Sequence, residues 1–258
     1  MSIPETSDTR EWGDYPRPSL AVDVAVLTVR TDTPQPLLAL LVIRRRTDAE
    51  RGKWDIPGAF VLEKERLADA ARRALQDKAG VSDLEPVELG IFDRPDRDPR
   101  GWVVSVAYSV TVPFERLAPL LDARDIALAP VRSRAGTTTS APVGIDLPGD
   151  QRDLPFDHHE MVERAVADLR RRYEVQPDPV PQPGPDPDGL MTQQPFTVTQ
   201  LRQLYDAINS RPVQRDAFAR RFVPRPSLGE PEKWHLRPIP GSMSATGGRP
   251  AQMYEMPE

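Results

Sequence analysis

Three groups of side chains in this chain have types and spacing that could carry chemistry. In Asp157-His158-His159-Glu160, two imidazoles and two carboxylates could ligate a metal. Adjacent helical residues project about 100° apart and do not converge as an i, i+4 pair would, so a helix start capped by Asp157 is the better reading. In PGAFVLEKERLADAARRALQDKAGV, Pro57 to Val81, the residues Glu65, Arg73 and Asp77 read as ion pairs on a solvated helix face. The third group is C-terminal. Arg215 and Gln214 are suited to base edges, Arg preferring guanine and Gln adenine, while Arg211, Arg220, Arg221 and Arg249 are suited to phosphates. The chain has no cysteine, which excludes disulfides, thiolate metal sites and a cysteine nucleophile.

Positioning these groups requires two kinds of scaffold. Ser19 to Arg30 and Leu37 to Arg45 are rich in Val, Leu and Ala between Pro and Thr-Asp-Thr-Pro signals, and read as paired strands. Leu67, Ala70, Ala71, Ala74 and Leu75 recur at helical spacing, which predicts a helix over Leu67 to Ala79 with Gly80 at its C-cap. Leu89 to Phe92 and Trp102 to Val112 are further strands, and Met161 to Tyr173 is a closing helix. Arg124 to Asp150 reads as a long polar loop, disordered or a flap. This mixed order predicts an α/β/α sandwich.

Toward the C-terminus, Thr199 is a good N-cap for a helix Gln200 to Ile208, with Leu201, Leu204, Tyr205 and Ile208 inward. After Asn209-Ser210-Arg211-Pro212, with Pro212 suited to a first helical position, Val213 to Phe222 reads as a second helix with Arg215, Arg220 and Arg221 outward. Val223 to Leu228 and Lys233 to Leu236 read as a short strand pair or an extended passage, and Pro250 to Met256 is a last strand after Gly247-Gly248-Arg249. Helix, turn, basic helix and hairpin is the plan of a winged helix-turn-helix.

Between the two units lies QPDPVPQPGPDPDGL, Gln176 to Leu190, where six of fifteen residues are proline. It lacks sheet donors and helical φ freedom, and reads as an extended spacer. The expected organisation is a disordered N-terminus over 1–18, an α/β unit over 19–175, a linker over 176–195 and a DNA-binding unit over 196–258. A net charge of −5 over 258 residues argues at face value against a nucleic-acid partner. The charge is unevenly spread: 25 basic and 30 acidic residues precede Gln176, whereas nine basic and six acidic residues follow Pro195. Since no apolar stretch approaches the roughly 18 residues of a membrane span and no leader pattern opens the chain, a cytoplasmic protein is expected.

Pro57 to Val81 resembles the Nudix box, Gly-x5-Glu-x7-Arg-Glu-U-x-Glu-Glu-x-Gly-U with U aliphatic. Registered on Gly80 and Val81, Glu65, Arg73 and Leu75 match, but the first Gly falls on Ala59, the Glu after Arg on Ala74, and the Glu pair on Asp77 and Lys78. In the family those carboxylates hold Mg²⁺ or Mn²⁺ against a pyrophosphate. An ammonium at 78 would repel a cation about 4 Å away by roughly 4 kcal/mol per unit charge at an effective dielectric of 20. No catalytic or metal site is therefore expected. Phe92 to Gly101 followed by WVVSVAYSV is similar to ADP-ribose-type Nudix domains, which implies a pocket for a nucleotide diphosphate-linked sugar. Arg44, Arg45, Arg46 and Arg100 are candidate contacts to it, with Trp54 and Phe60 as stacking faces. The competing readings are solvated strand ends for the arginine triplet and core packing for Trp54.

With the LPFDHHEMVERAVADLRRRYE helix, FTVTQLRQLYDAI, RPVQRDAFARRF and GGRPAQMYE, the whole chain resembles the NrtR group of Nudix-related transcriptional regulators of NAD metabolism. That resemblance implies a homodimeric repressor on a pseudo-palindromic double-stranded operator, released by an NAD-derived effector such as ADP-ribose, with no cofactor. Two alternatives stay open. One is an ADP-ribose pyrophosphatase, to which only Glu65, Asp77 and Glu160 could offer carboxylates; the other is a regulator sensing something else.

Overall fold

The computed structural model describes residues 11–47, 49–133, 142–175, 184–224, 235–244 and 250–257. Residues 1–10 of the N-terminal stretch, the first half of the proline run, most of the extended passage after Val223 and the Gly247-Gly248-Arg249 tip lie outside them. Trp12–Asp14 form a single 3-10 turn.

The first unit is built on β1 (Ser19–Arg30) and β2 (Leu37–Arg44), antiparallel with Leu27 opposite Leu40. β3 (Trp54–Asp55) pairs with the end of β2, and β4 (Gly58–Phe60) with the start of β1. After α1 (Leu67–Ala79) come β5 (Val87–Phe92) and β6 (Val103–Thr111), and β6 runs parallel to β1. Past α2 (Phe114–Leu117) come β7 (Ile126–Ser133) and β8 (Val143–Ile145), and the sheet order is β5-β6-β1-β2-β7-β8. α3 (His158–Arg172) closes the unit.

β1 is apolar along most of its length because both its faces are covered. Val22, Val24 and Val26 pack with Ala70, Ala71 and Leu75 of α1, whereas Ala25, Leu27 and Val29 pack with Val162, Val166 and Leu169 of α3. The two cores make the expected α/β/α sandwich. Gly80 ends α1 in the left-handed region at φ 67, its N–H returned to Gln76 and Leu75 carbonyls.

Arg124 to Asp150 departs from the polar loop expected of it. It holds β7 and β8, which pair antiparallel, and β7 adds to the edge of β2. Pro130 and Arg132 interrupt the apolar alternation of β7, and this disguised the strand. Residues 134–141 of that segment lie outside the described residues.

The second unit comprises β9 (Phe196–Thr197), α4 (Val198–Asn209), α5 (Arg215–Phe222), β10 (Arg237–Met243) and β11 (Gln252–Glu255), the strands ordered β10-β11-β9. The cap of α4 is Thr197 rather than Thr199. Its Oγ1 accepts from Gln200 N at 3.2 Å while Gln200 Oε1 accepts from Thr197 N at 2.7 Å, a reciprocal capping box. Likewise α5 starts at Arg215 rather than near Pro212, with Gln214 as N-cap accepting from Ala217 N at 3.1 Å. Asp206 fixes the intervening turn by accepting from Val213 N at 2.6 Å and Arg202 at 2.9 Å.

The second half of the proline run is a tied strap, not an open spacer. Asp186 accepts from the Tyr173 hydroxyl at 2.5 Å and from Leu190 and Met191 N–H groups; Leu190 is buried, and the Tyr205 hydroxyl donates to Pro185 O at 2.9 Å. Tyr173, Tyr205, Phe218 and Phe222 then form one aromatic cluster, with neighbouring ring centroids 4.9–5.7 Å apart, joining the end of α3 to α4 and α5. Loss of an N-cap hydroxyl costs about 1 kcal/mol. Thr197→Ala is expected to lower stability in urea unfolding by roughly that amount, with Thr199→Ala within about 0.5 kcal/mol of the parent; equal effects would contradict the capping assignment.

Candidate functional site

The charged groups that organise the first unit enter through single residues on apolar elements. Asp23 lies on the α3-facing side of β1, in the run SLAVDVAVLTVR, and is its only carboxylate. Its Oδ2 accepts from Ser105 Oγ at 2.6 Å and lies 3.5 Å from His158 Nε2, and Arg97 approaches to 3.8 Å. On its other side the His158 ring meets Asp55 through Nδ1, at 2.5 Å from Oδ1. Asp55 Oδ2 accepts from Arg45 at 2.5 Å, and Asp55 Oδ1 from the Ile56 N–H at 2.9 Å.

Burial alone would lower the His158 pKa, but the charges of Asp23 and Asp55 and their hydrogen bonds outweigh it and push it up to about 10. Burial would likewise raise Asp23, yet His158, Ser105 and Arg97 bring it down to about 2. The site holds an imidazolium between two carboxylates. Beside it Arg97 donates to Asp157 at 2.9 and 2.6 Å, a bidentate pair with both side chains buried. Asp157 therefore occupies the N-cap position of α3, as expected, while its carboxylate makes no capping bond and serves Arg97 instead.

Gly58 sits against this network. A Cβ there would lie 2.0 Å from Asp23 Oδ1, so the glycine is required by close approach. Phe156, just before the network's His158, holds φ 55, a left-handed conformation costing a non-glycine residue of order 1–3 kcal/mol. Its ring lies 4.9 Å from the Arg45 guanidinium and 5.6 Å from that of Arg100.

These groups form the floor of a cleft of about 390 Å³, with Phe60, Phe156 and Ala59 among its apolar walls. Seven basic side chains and four carboxylates line it, besides His158. Arg44, Arg45, Arg46, Phe60 and Arg100 are all brought to it. Arg44 donates to Gly52 O at 2.6 Å, Arg45 is committed to Asp55, and Arg100 is held by Asp98. Arg46 is the most open, 83% exposed with one 3.3 Å contact to Asp125. Trp54 does not line this cleft. It is 5% exposed in the core with Arg44 4.4 Å over its ring, the core-packing alternative.

Of the Nudix-box residues, Arg73 binds Glu65 through Nε at 2.7 Å and through NH2 at 2.8 Å, and donates to Phe60 O at 2.8 Å. The bonds from Arg73 and the Leu62 N–H hold Glu65 at about 2. Ala74 is buried, while Asp77 and Lys78 line the cleft. Partial burial of its ammonium, and then the charge of Arg45, lower the Lys78 pKa.

In the second unit Arg211, Gln214, Arg215 and Arg220 are exposed. Gln214 spends its side-chain oxygen on the α5 cap, leaving its amide group for other contacts. Arg221, expected to face outward, is instead 7% exposed, because residues 218, 221 and 222 fall on the α5 face that packs on α4. Arg249 lies outside the described residues.

Residues 20–127 match the NUDIX domain family. Over that stretch the chain is similar to a Nudix domain. It is 28% identical over 243 residues to the ADPR responsive transcriptional repressor NtrR of Acinetobacter baylyi, covering 93% of this chain and 83% of that repressor. It superposes on Shewanella oneidensis NrtR complexed with a 27mer DNA with a TM-score of 0.63 at 23% identity, covering 92% and 93% of the two chains. The ADP-ribose pyrophosphatase of Methanocaldococcus jannaschii is 30% identical over 105 residues, 41% of this chain and 57% of that enzyme.

A Nudix domain implies a divalent cation, and the donor set does not fit one. Glu65 is occupied by Arg73, position 74 offers no donor, and Lys78 brings a cation where a carboxylate would stand, which leaves Asp77 as a single carboxylate beside an ammonium. Among the described residues, no group of three His, Asp or Glu side chains converges as a metal site.

Sequence reasoning missed Asp23, Asp55, Arg97 and His158 as site residues. A lone carboxylate inside an apolar strand was the available signal for Asp23, since such a group needs buried partners. The raised His158 pKa contributes stability that is full below the ordinary 6.5, declines as pH rises, and is gone above about 10. The lowered Asp23 pKa contributes stability that is full above 3.8 and is lost as pH falls toward about 2. Urea unfolding between pH 6.5 and 10 is expected to show a declining stability whose slope flattens in His158→Gln; an unchanged slope would refute the charged-imidazole assignment.

Proposed function

We propose that this chain is a transcriptional repressor of NAD biosynthesis or salvage genes, whose degenerate Nudix domain senses ADP-ribose or a related NAD-derived nucleotide. The carrying observation is that a cation-lined cleft and a helix pair with exposed arginines are tied to opposite ends of α3. At its start, Asp157 and His158 belong to the buried network under the cleft. Near its end Arg170, 1% exposed, donates to Ile208 O at 3.0 Å and to Ser210 Oγ at 3.1 Å, at the end of α4, and to Ser133 Oγ at 3.0 Å. The whole-length similarity to the Acinetobacter baylyi repressor supports the same reading.

In this reading the second unit is a winged helix. α5 enters the major groove with Arg215 on a base edge, Arg211 and Arg220 meet phosphates, and β10–β11 forms the wing. A homodimer presents two such units to a pseudo-palindromic operator. An anionic effector gathers the cleft's arginines, and strain at the start of α3 reaches α4 through Arg170. The cleft no longer hydrolyses its ligand, because the metal donors are missing. Among the described residues no helix is long and apolar enough to cross a membrane.

The competing reading is an ADP-ribose pyrophosphatase, favoured by the 30% identity to the Methanocaldococcus jannaschii enzyme. Fluorescence anisotropy with the promoter of an NAD-biosynthesis operon, with and without ADP-ribose, tests the first; AMP release in Mg²⁺ tests the second. Binding is expected to weaken steeply with salt, to be relieved by ADP-ribose, and to lose about 1–3 kcal/mol in Arg215→Ala. DNA binding indifferent to salt, or AMP formed at enzymatic rates, would overturn the proposal. Arg170→Met is expected to keep ADP-ribose binding while blunting the release of DNA, measured by calorimetry and anisotropy on one preparation. Full release by ADP-ribose would remove Arg170 from the coupling.

A further inference from the structure

Lys78 projects from the last turn of α1 into the cleft, at the position of the Nudix box where a carboxylate would help hold a divalent cation. Its neighbours are unsuited to replacing that cation's ligands. Glu65 is fully engaged by Arg73, and Ala74 is apolar and buried. Seven basic side chains and four carboxylates line the same cleft, and with Asp55 and Asp157 behind it neutralising Arg45 and Arg97, positive charge is still in excess. Such an excess is costly without an anion and favours one strongly. The two facts have one explanation.

We propose that Lys78 takes the place of the divalent cation, so that the cleft binds the diphosphate of its nucleotide ligand through protein cations alone, without metal. A metal clamp needs carboxylates to hold it, and those carboxylates repel the diphosphate whenever the metal is absent. An ammonium on α1 supplies the positive charge directly and is present at all times. Arg46, 83% exposed and held only by one 3.3 Å contact to Asp125, complements it from just past the end of β2. The cleft then reports the concentration of the nucleotide and is indifferent to that of Mg²⁺.

This inference rests on the nucleotide-sensing reading above, and the experiment separates the two. Isothermal titration of the full chain is run with ADP-ribose and with ADP, each in EDTA and in Mg²⁺. The expected result is a Kd in EDTA within about twofold of that in Mg²⁺, weakened at least tenfold in Lys78→Met and largely retained in Lys78→Arg, which keeps the charge. Lys78→Glu is expected to weaken binding in EDTA and to regain part of it on adding Mg²⁺, a gain that loss of folding could not produce. Metal-free binding of ADP but not of ADP-ribose would leave the Lys78 assignment standing and sink the sugar-nucleotide reading. A parent Kd that tightens tenfold or more with Mg²⁺, unchanged affinity in Lys78→Met, or no metal-free binding of either probe would overturn the assignment.

Discussion

The imidazolium of His158, held between Asp23 and Asp55, is the interaction on which the first unit depends. It joins the central strand β1, the end of β3 and the first residue of α3 at one buried point. A buried charge is tolerable only when its partners are in place, and removing one partner of such a pair typically costs about 3–5 kcal/mol. Arg97 and Asp157 repeat the arrangement beside it and draw the 93–101 loop over the start of α3. The positions of Gly58 and Phe156 follow from the same network. The first must lack a side chain because the Asp23 carboxylate fills that space, and the second is held in a strained backbone conformation immediately before Asp157.

α3 extends this constraint across the molecule. Its inner face is packed along the sheet by Val162, Val166 and Leu169, so it behaves as a stiff element. Its two ends are tied by polar bonds: at the start to the floor of the cleft, near the end to the carbonyl that finishes α4. The strap from Pro185 to Met191 and the aromatic cluster about Tyr205 close the same junction from the other side. A displacement at the cleft has a continuous packed route to the helix pair, which is what the proposed repressor needs.

The charge distribution explains how an acidic chain can serve anionic ligands twice. The net charge of −5 is a sum over regions of different sign, and the cleft and the C-terminal unit are locally basic. Local excess governs binding over the roughly 8–10 Å Debye length of ordinary salt, so the global sum is a poor guide to partners. The altered Nudix box belongs to this pattern: Arg73 and Glu65 serve as a brace between α1 and the preceding loop, and Lys78 adds positive charge to the cleft.

The sequence by itself determined the elements whose signals are local. β1, α1 with its Gly80 cap, the pairing of β1 with β2 and the apolar face of α4 follow from periodicity and capping, which act over a few residues. Arg44, Arg45 and Arg46 were legible as cleft residues because they cluster at the end of a strand. Only the tertiary structure decided the partners. Asp157 looks like a cap and serves Arg97, 60 residues away; His158 looks like half of an adjacent pair and is clasped by carboxylates 135 and 103 residues earlier. Arg221 looks solvated and is buried, and Pro130 conceals a strand that pairing with β2 stabilises. In each case the deciding energy comes from burying a charge or completing a sheet against residues distant in the chain. Local pattern carries no record of which distant group will supply the missing partner.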